Sequence, residues 1–137
     1  MQTNLFKKSA VLIEKNALHR KLYEDVLTAN GFDVYVAKSA MDGLIKVKET
    51  KLDLTVINTE IASESFTEKL ITKMKSEQAS NLMPIVGLSA YGSECKKNIS
   101  EMLDVFLTKP VSVDKFVESV FKCIEDKING CPDSDNK

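Results

Sequence analysis

The sequence predicts an α/β fold of the doubly wound kind, with one five-stranded parallel sheet and helices on its two faces. Three observations lead there. Short apolar runs alternate with helical patterns five times along the chain, which is the signature of βαβ units. Runs such as "AVLI" (Ala10–Ile13) are too short for a helix and suit a central strand. The 137 residues make one domain, long enough to bury a hydrophobic core without metal or disulfide help.

The elements follow in order. After the strand at Ala10–Ile13, Asn16 is placed to cap a helix by accepting a free backbone N–H. Leu18, Leu22, Val26 and Ala29 then recur at helical spacing, and "NG" at Asn30–Gly31 stops the helix, because glycine takes the left-handed conformation that a helix end wants. "FDVYVA" (Phe32–Ala37) alternates with period two and reads as the second strand. A helix over Ala40–Thr50 turns Leu44 and Val47 inward. "LDLTVI" (Leu52–Ile57) is the third strand. A third helix over Glu64–Ser76 carries Phe66, Leu70, Ile71 and Met74 on one stripe. "PIVGLS" (Pro84–Ser89) is the fourth strand, entered through a proline, and a weak helix spans Glu94–Leu103. "VFLT" (Val105–Thr108) is the fifth strand. The last helix, Val113–Ile128, turns Phe116, Val117, Val120, Phe121, Ile124 and Ile128 inward. Residues 1–7 read as an N-terminal extension, 8–129 as the domain, and the polar, turn-rich 130–137 as a disordered tail. Five such units suit the flavodoxin-like strand order 2-1-3-4-5, in which ligands sit outside the carboxyl ends of the strands at the switch point.

Composition narrows the function. The apolar fraction of 43% and charged fraction of 28% are those of a soluble protein, and a net charge of −1 gives no electrostatic footprint for nucleic acid. No apolar run approaches the ~20 residues of a membrane span, and the N-terminus lacks a signal-peptide core. Cys95, Cys123 and Cys131 are odd in number and match no metal or CxxC spacing, so reduced thiols in a cytoplasmic protein are expected.

At the carboxyl ends of the strands stand Glu14 and Lys15, Asn58, Ser89, and Lys109 followed by Pro110. A polar residue at a strand end is by itself an ordinary loop start. Five at one switch point are more than that. The segments "VLIEKNALHRKL", "DLTVIN", "MPIVGLSAY" and "VFLTKPVSVDKFVESV" together resemble the receiver domain of bacterial response regulators (CheY-like), over about Lys8–Ile128. Stand-alone receivers, including those of bacterial cell-cycle control, are similar in look. The resemblance implies a two-component or phosphorelay role in which an Asp, with Mg²⁺ held by it and two further acids, takes a phosphoryl group from a histidine kinase. It places Glu14 as the first acid, Ser89 as the phosphate-contacting hydroxyl, Phe106 as the switch aromatic and Lys109 as the lysine.

This sequence departs from that pattern twice at the centre. Lys15 stands where the second acid belongs and Asn58 where the acceptor belongs. Ala62 and Phe66 replace a usual proline and glycine, and the Ser89-to-Lys109 interval is about two residues short, which leaves the fourth helix open. An amide is neither a nucleophile for phosphoryl transfer nor an anionic ligand. A typical receiver has three carboxylates and a lysine here, net −2; Glu14, Lys15 and Lys109 make +1. Each unit–unit term at ~4 Å and an effective dielectric near 20 is worth about 4 kcal/mol, which opposes a divalent cation. The expectation is therefore a degenerate, non-enzymatic receiver with no metal and no cofactor, in which Lys15 does the metal's electrostatic work by pairing with Glu14 and donating to Asn58. The plain alternative leaves Lys15 in solvent.

Such a module would work by phosphorylation-independent contacts with signalling proteins, a histidine kinase, a phosphotransferase or another regulator. The resemblance puts these contacts on helix one (Leu18, Arg20, Lys21) and on the helix-four, strand-five, helix-five face (Phe106, Lys109, Val111), the second also a homodimer surface. Two other readings stay open: phosphoryl transfer to Ser89 or Glu14, and a small-ligand or anion sensor using the altered pocket. His19 reads as a surface histidine on a small basic rim with Arg20 and Lys21, Cys95 beside Lys96 and Lys97 as an ordinary thiol, and Lys46, Lys48 and Lys51 as a solvated helix face. No GxSxG elbow surrounds Ser89 and no glycine-rich phosphate loop exists.

Overall fold

The computed structural model describes residues 7–78, 83–90 and 96–129. Ten elements alternate: β1 (Lys8–Ile13), α1 (Ala17–Ala29), β2 (Phe32–Ala37), α2 (Ala40–Glu49), β3 (Leu54–Asn58), α3 (Glu64–Glu77), β4 (Ile85–Ser89), α4 (Lys97–Ser100), β5 (Val105–Thr108) and α5 (Val113–Ile128). All strand pairs are parallel and the sheet order is β2-β1-β3-β4-β5. This is the doubly wound order expected, with β1 and β3 side by side at the switch point.

The pleat divides the core in two. On β1, Ala10 and Leu12 face one way and join Tyr23 and Leu27 of α1 and Phe116, Val120 and Ile124 of α5. Val11 and Ile13 face the other way and join Val47 of α2, Leu70, Ile71 and Met74 of α3 and Ile99 of α4. The rings of Tyr23 and Phe116 lie 4.9 Å apart and tie α1 to α5 across the first layer. Gly43 of α2 sits hard against β1 in the second layer, since a Cβ there would lie 2.5 Å from Ile13 Cδ1.

The chain punctuation works as its chemistry predicts. Asn16 Oδ1 accepts the His19 N–H, and Ser39, Ser63 and Ser112 cap α2, α3 and α5 in the same way. α1 ends on Gly31 at φ +95°. Three side chains seal loops: Asp53 accepts the Ser9 N–H, Asp104 accepts the Ile85 N–H, and buried Gln78 accepts the Leu52 N–H while donating to the Val47 carbonyl.

Several expectations are corrected. β1 begins at Lys8 rather than Ala10, and among the described residues the fourth helix is four residues, Lys97–Ser100. On α1 the Leu18 and Leu22 stripe points outward, with Leu18 82% exposed, and Tyr23 and Leu27 are buried instead. Phe66, Phe121 and Ile128, expected inward, are also exposed. On α1 a second apolar stripe meets the sheet; on α3 and α5 the expected stripe is the buried one, and only Phe66, Phe121 and Ile128 at its edges reach the surface. Cys123 is a free, buried thiol that burial pushes up to about 12, so it stays protonated and inert. Cys95, Cys131, the 130–137 tail and most of the N-terminal extension lie outside the described residues. Among the described residues no helix is long and apolar enough to cross a membrane.

Candidate functional site

Parallel strands end together, so the residues after β1, β3, β4 and β5 converge on one crevice. Glu14 is its centre. The residue is fully buried, and a buried carboxylate needs its charge answered. Lys109 answers it, with Nζ 2.8 Å from Oε1. Oε2 accepts the Asn16 N–H at 3.0 Å and Asn58 Nδ2 at 3.0 Å. Burial alone would push the Glu14 carboxyl up. The Lys109 hydrogen bond, the Asn16 N–H, the lysine's charge and the Asn58 amide together outweigh it, and hold the group below the usual carboxylate range.

Asn58 shows what an amide can do at the end of β3. Its Nδ2 donates to Glu14 while its Oδ1 accepts the Glu60 N–H at 2.8 Å. An ionised aspartate accepts only, and would set two carboxylates at hydrogen-bond distance. The amide therefore makes a closed network where a carboxylate would make a repulsive pair.

Lys15 does not take the expected place. Its Nζ is exposed and reaches the Glu60 carbonyl at 3.2 Å, and Glu14 pairs with Lys109 instead. The reason is position: the Glu14 N–H still bonds the Ala37 carbonyl beside the sheet, whereas Lys15 stands one residue further out, exposed in the loop before α1. Lys109, expected partly on a partner surface, is 9% exposed and turned into the crevice. His19 is drawn in rather than left on the rim, with Nδ1 2.9 Å from Lys109 Nζ. Arg20 Nη1 donates to the Glu14 carbonyl at 2.9 Å.

Glu60 was not among the expected residues. Its carboxylate accepts from Ser89 Oγ at 2.6 Å, from the Ala90 N–H at 3.0 Å and from Thr59 Oγ1 at 3.0 Å. Glu60 also corrects the charge count: Glu14 and Glu60 against Lys15 and Lys109 make zero, not +1. The signal was an acid two residues past the switch-point strand, close enough for a turn to fold it back; the Ile61 N–H to the Asn58 carbonyl closes that turn.

This donor set does not fit Mg²⁺, which takes oxygens from one or two free carboxylates plus water. Both Glu14 oxygens are engaged by N–H donors, Asn58 turns a nitrogen toward them, and Glu60 is held by hydroxyl and backbone donors. Among the described residues no three His, Cys, Asp or Glu side chains are grouped to share a metal. Of the remaining expected residues, Phe106 is half-buried on β5, opposite Gly87 of β4. Val111 packs partly against the α1/α5 core. Lys21 is exposed and paired with Asp25.

No family model matches the chain. The polar-differentiation response regulator DivK of Brucella ovis is 24% identical over 116 residues, a span of 82% of this chain and 93% of that protein. A response regulator receiver domain protein (CheY-like) from Methanospirillum hungatei superposes with a TM-score of 0.77 at 16% identity, over 90% of this chain and 98% of that one. The receiver domain of a sensor histidine kinase from Pseudomonas aeruginosa, solved with a magnesium ion coordinated in its active-site cleft, superposes with a TM-score of 0.73 at 15% identity, over 87% of this chain and 98% of that one. In the order of its sheet and the crevice at its switch point the chain has the fold of CheY-like receiver domains, and over most of its length it is similar in sequence to the response regulator DivK.

Proposed function

We propose that this receiver domain of two-component signalling acts without taking a phosphoryl group, through protein contacts alone. The observation that carries the reading is the Asn58–Glu14–Lys109 network. The side chain at the acceptor position is an amide whose nitrogen is spent on Glu14. No carboxylate oxygen there is free to attack phosphorus or to hold the metal that neutralises its charge. Such a crevice is locked in one state rather than switched, and the module is no enzyme.

Its partners would be a cytoplasmic histidine kinase, a phosphotransferase or another regulator. Helix α1 offers the first surface: Leu18 and Leu22 are exposed beside Lys21. The α4–β5–α5 face, with Phe106 and Val111, offers a second and is the candidate homodimer surface. The protein would bind a partner constitutively or hold a kinase without relieving it of its phosphoryl group.

The short Ser89–Glu60 contact favours a second reading, in which Glu60 takes the Ser89 proton as the serine oxygen bonds to the phosphorus of acetyl phosphate and its P–O bond breaks to release acetate. Incubation with acetyl phosphate and Mg²⁺, followed by intact mass, separates the two. An unchanged mass is expected. A phosphoryl adduct overturns the proposal, and its loss in Ser89→Ala assigns it to the serine.

A further inference from the structure

Every polar group of Glu60 is engaged. Its N–H donates to Asn58 Oδ1 and its carbonyl accepts Lys15 Nζ. Its carboxylate takes the Ser89 hydroxyl at 2.6 Å, the Ala90 N–H at 3.0 Å and the Thr59 hydroxyl at 3.0 Å. The donors come from the ends of two adjacent strands, β3 and β4, and Ser89 is fully buried, so its hydroxyl is aimed rather than free to rotate into water. Two hydroxyls and a backbone N–H converging on one anionic group form a receptor for an oxyanion. Here the anion is part of the chain.

We propose that Glu60 is a tethered anion that fills an oxyanion site made by Ser89, Ala90 and Thr59, and so closes it to free phosphate or sulfate. The inference rests on the reading that this crevice works without phosphoryl transfer, and adds how it is kept shut. A carboxylate on a short tether is present at the site at an effective concentration that a free ion reaches only at millimolar levels or above. It also brings the charge of Glu14, Lys15, Lys109 and Glu60 to zero. Removing it leaves the Ser89 hydroxyl and the Ala90 N–H without an acceptor, turns the Thr59 hydroxyl to the Leu88 carbonyl 3.4 Å away, and leaves Glu14, Lys15 and Lys109 at a net charge of +1, which draws an anion in.

The test is a titration of wild type, Glu60→Ala and the double variant Glu60→Ala/Ser89→Ala with sodium sulfate at constant ionic strength, followed through the Ala90 backbone amide by NMR. Glu60→Ala should show a saturable shift at Ala90, wild type at least tenfold weaker binding, and the double variant none. Glu60→Ser, whose side chain is too short to reach Ser89 and Ala90, serves in place of Glu60→Ala should the latter unfold. Equal sulfate binding by wild type and the Glu60 variants overturns the proposal, as does a folded variant with no saturable shift. Sulfate cannot be transferred, so this result is independent of the acetyl phosphate experiment: labelling of wild type there would end the reading of an inert crevice, whatever the sulfate titration shows.

Discussion

At Glu14 two large effects oppose each other. Burial raises its pKa, while the Lys109 hydrogen bond and charge, the Asn16 N–H and the Asn58 amide lower it by more. The folded value lies below the unfolded one, so the stability these contacts supply is present above the unfolded carboxyl range, about pH 4.3, and is lost as pH falls through the folded value. Removing one partner is worse than removing both, because it strands a buried charge. Lys109→Met should cost roughly 3–5 kcal/mol in urea unfolding at neutral pH. Lys109→Met/Glu14→Gln should recover much of that, and should lose less stability than wild type on acidification. Additive losses in that cycle would mean the pair is not coupled. At this scale the placement in the crevice was legible where a side chain ends a strand, as for Asn58 and Ser89, or directly follows one, as for Glu14 and Lys109. It was not legible for Glu60, which needs the turn after β3, nor for His19, which needs the rotation of α1 about its axis.

Helix α1 shows what periodicity leaves open at the scale of an element. It carries two apolar stripes, Leu18–Leu22–Val26 and Tyr23–Leu27, and both satisfy helical spacing. Only packing decides between them: Tyr23 meets Phe116 of α5, and Leu27 is 2% exposed. Leu18→Ala and Leu22→Ala should therefore shift stability by no more than about 0.5 kcal/mol, as surface substitutions do. Leu27→Ala should cost roughly 2–5 kcal/mol as a buried cavity. Urea titrations of the three variants check this, and a large loss in Leu18→Ala would put the inner face where spacing alone had placed it. The same measurement serves function, because a Leu18 variant of full stability isolates the loss of partner binding expected if α1 is the docking surface. The contrast with α5 is instructive. Its span, Val113–Ile128, was readable because Phe116, Val120 and Ile124 recur at helical spacing, and all three are buried.

For the whole molecule, alternation of apolar runs with helical patterns was enough to give the sheet order, since right-handed crossovers leave few ways to wind five βα units. The position of the crevice followed from that order. Its state did not, because state depends on which of several charges reach one another. That dependence can be tested by rebuilding the site. Lys15→Asp with Asn58→Asp makes the crevice three charge units more negative, each worth about 4 kcal/mol at ~4 Å in an effective dielectric near 20. It also removes the amide that spends itself on Glu14. The double variant should bind Mg²⁺ saturably in calorimetry, where wild type should not. Glu60 should still fill the donors of Ser89 and Ala90, so the double variant should take up phosphoryl from acetyl phosphate poorly. The triple variant with Glu60→Ala should take it up readily, on the carboxylate introduced at the end of β3. A folded double variant that ignores Mg²⁺ would mean that charge is not what disarms the crevice. A triple variant that gains nothing over the double would mean that Glu60 is not what closes it.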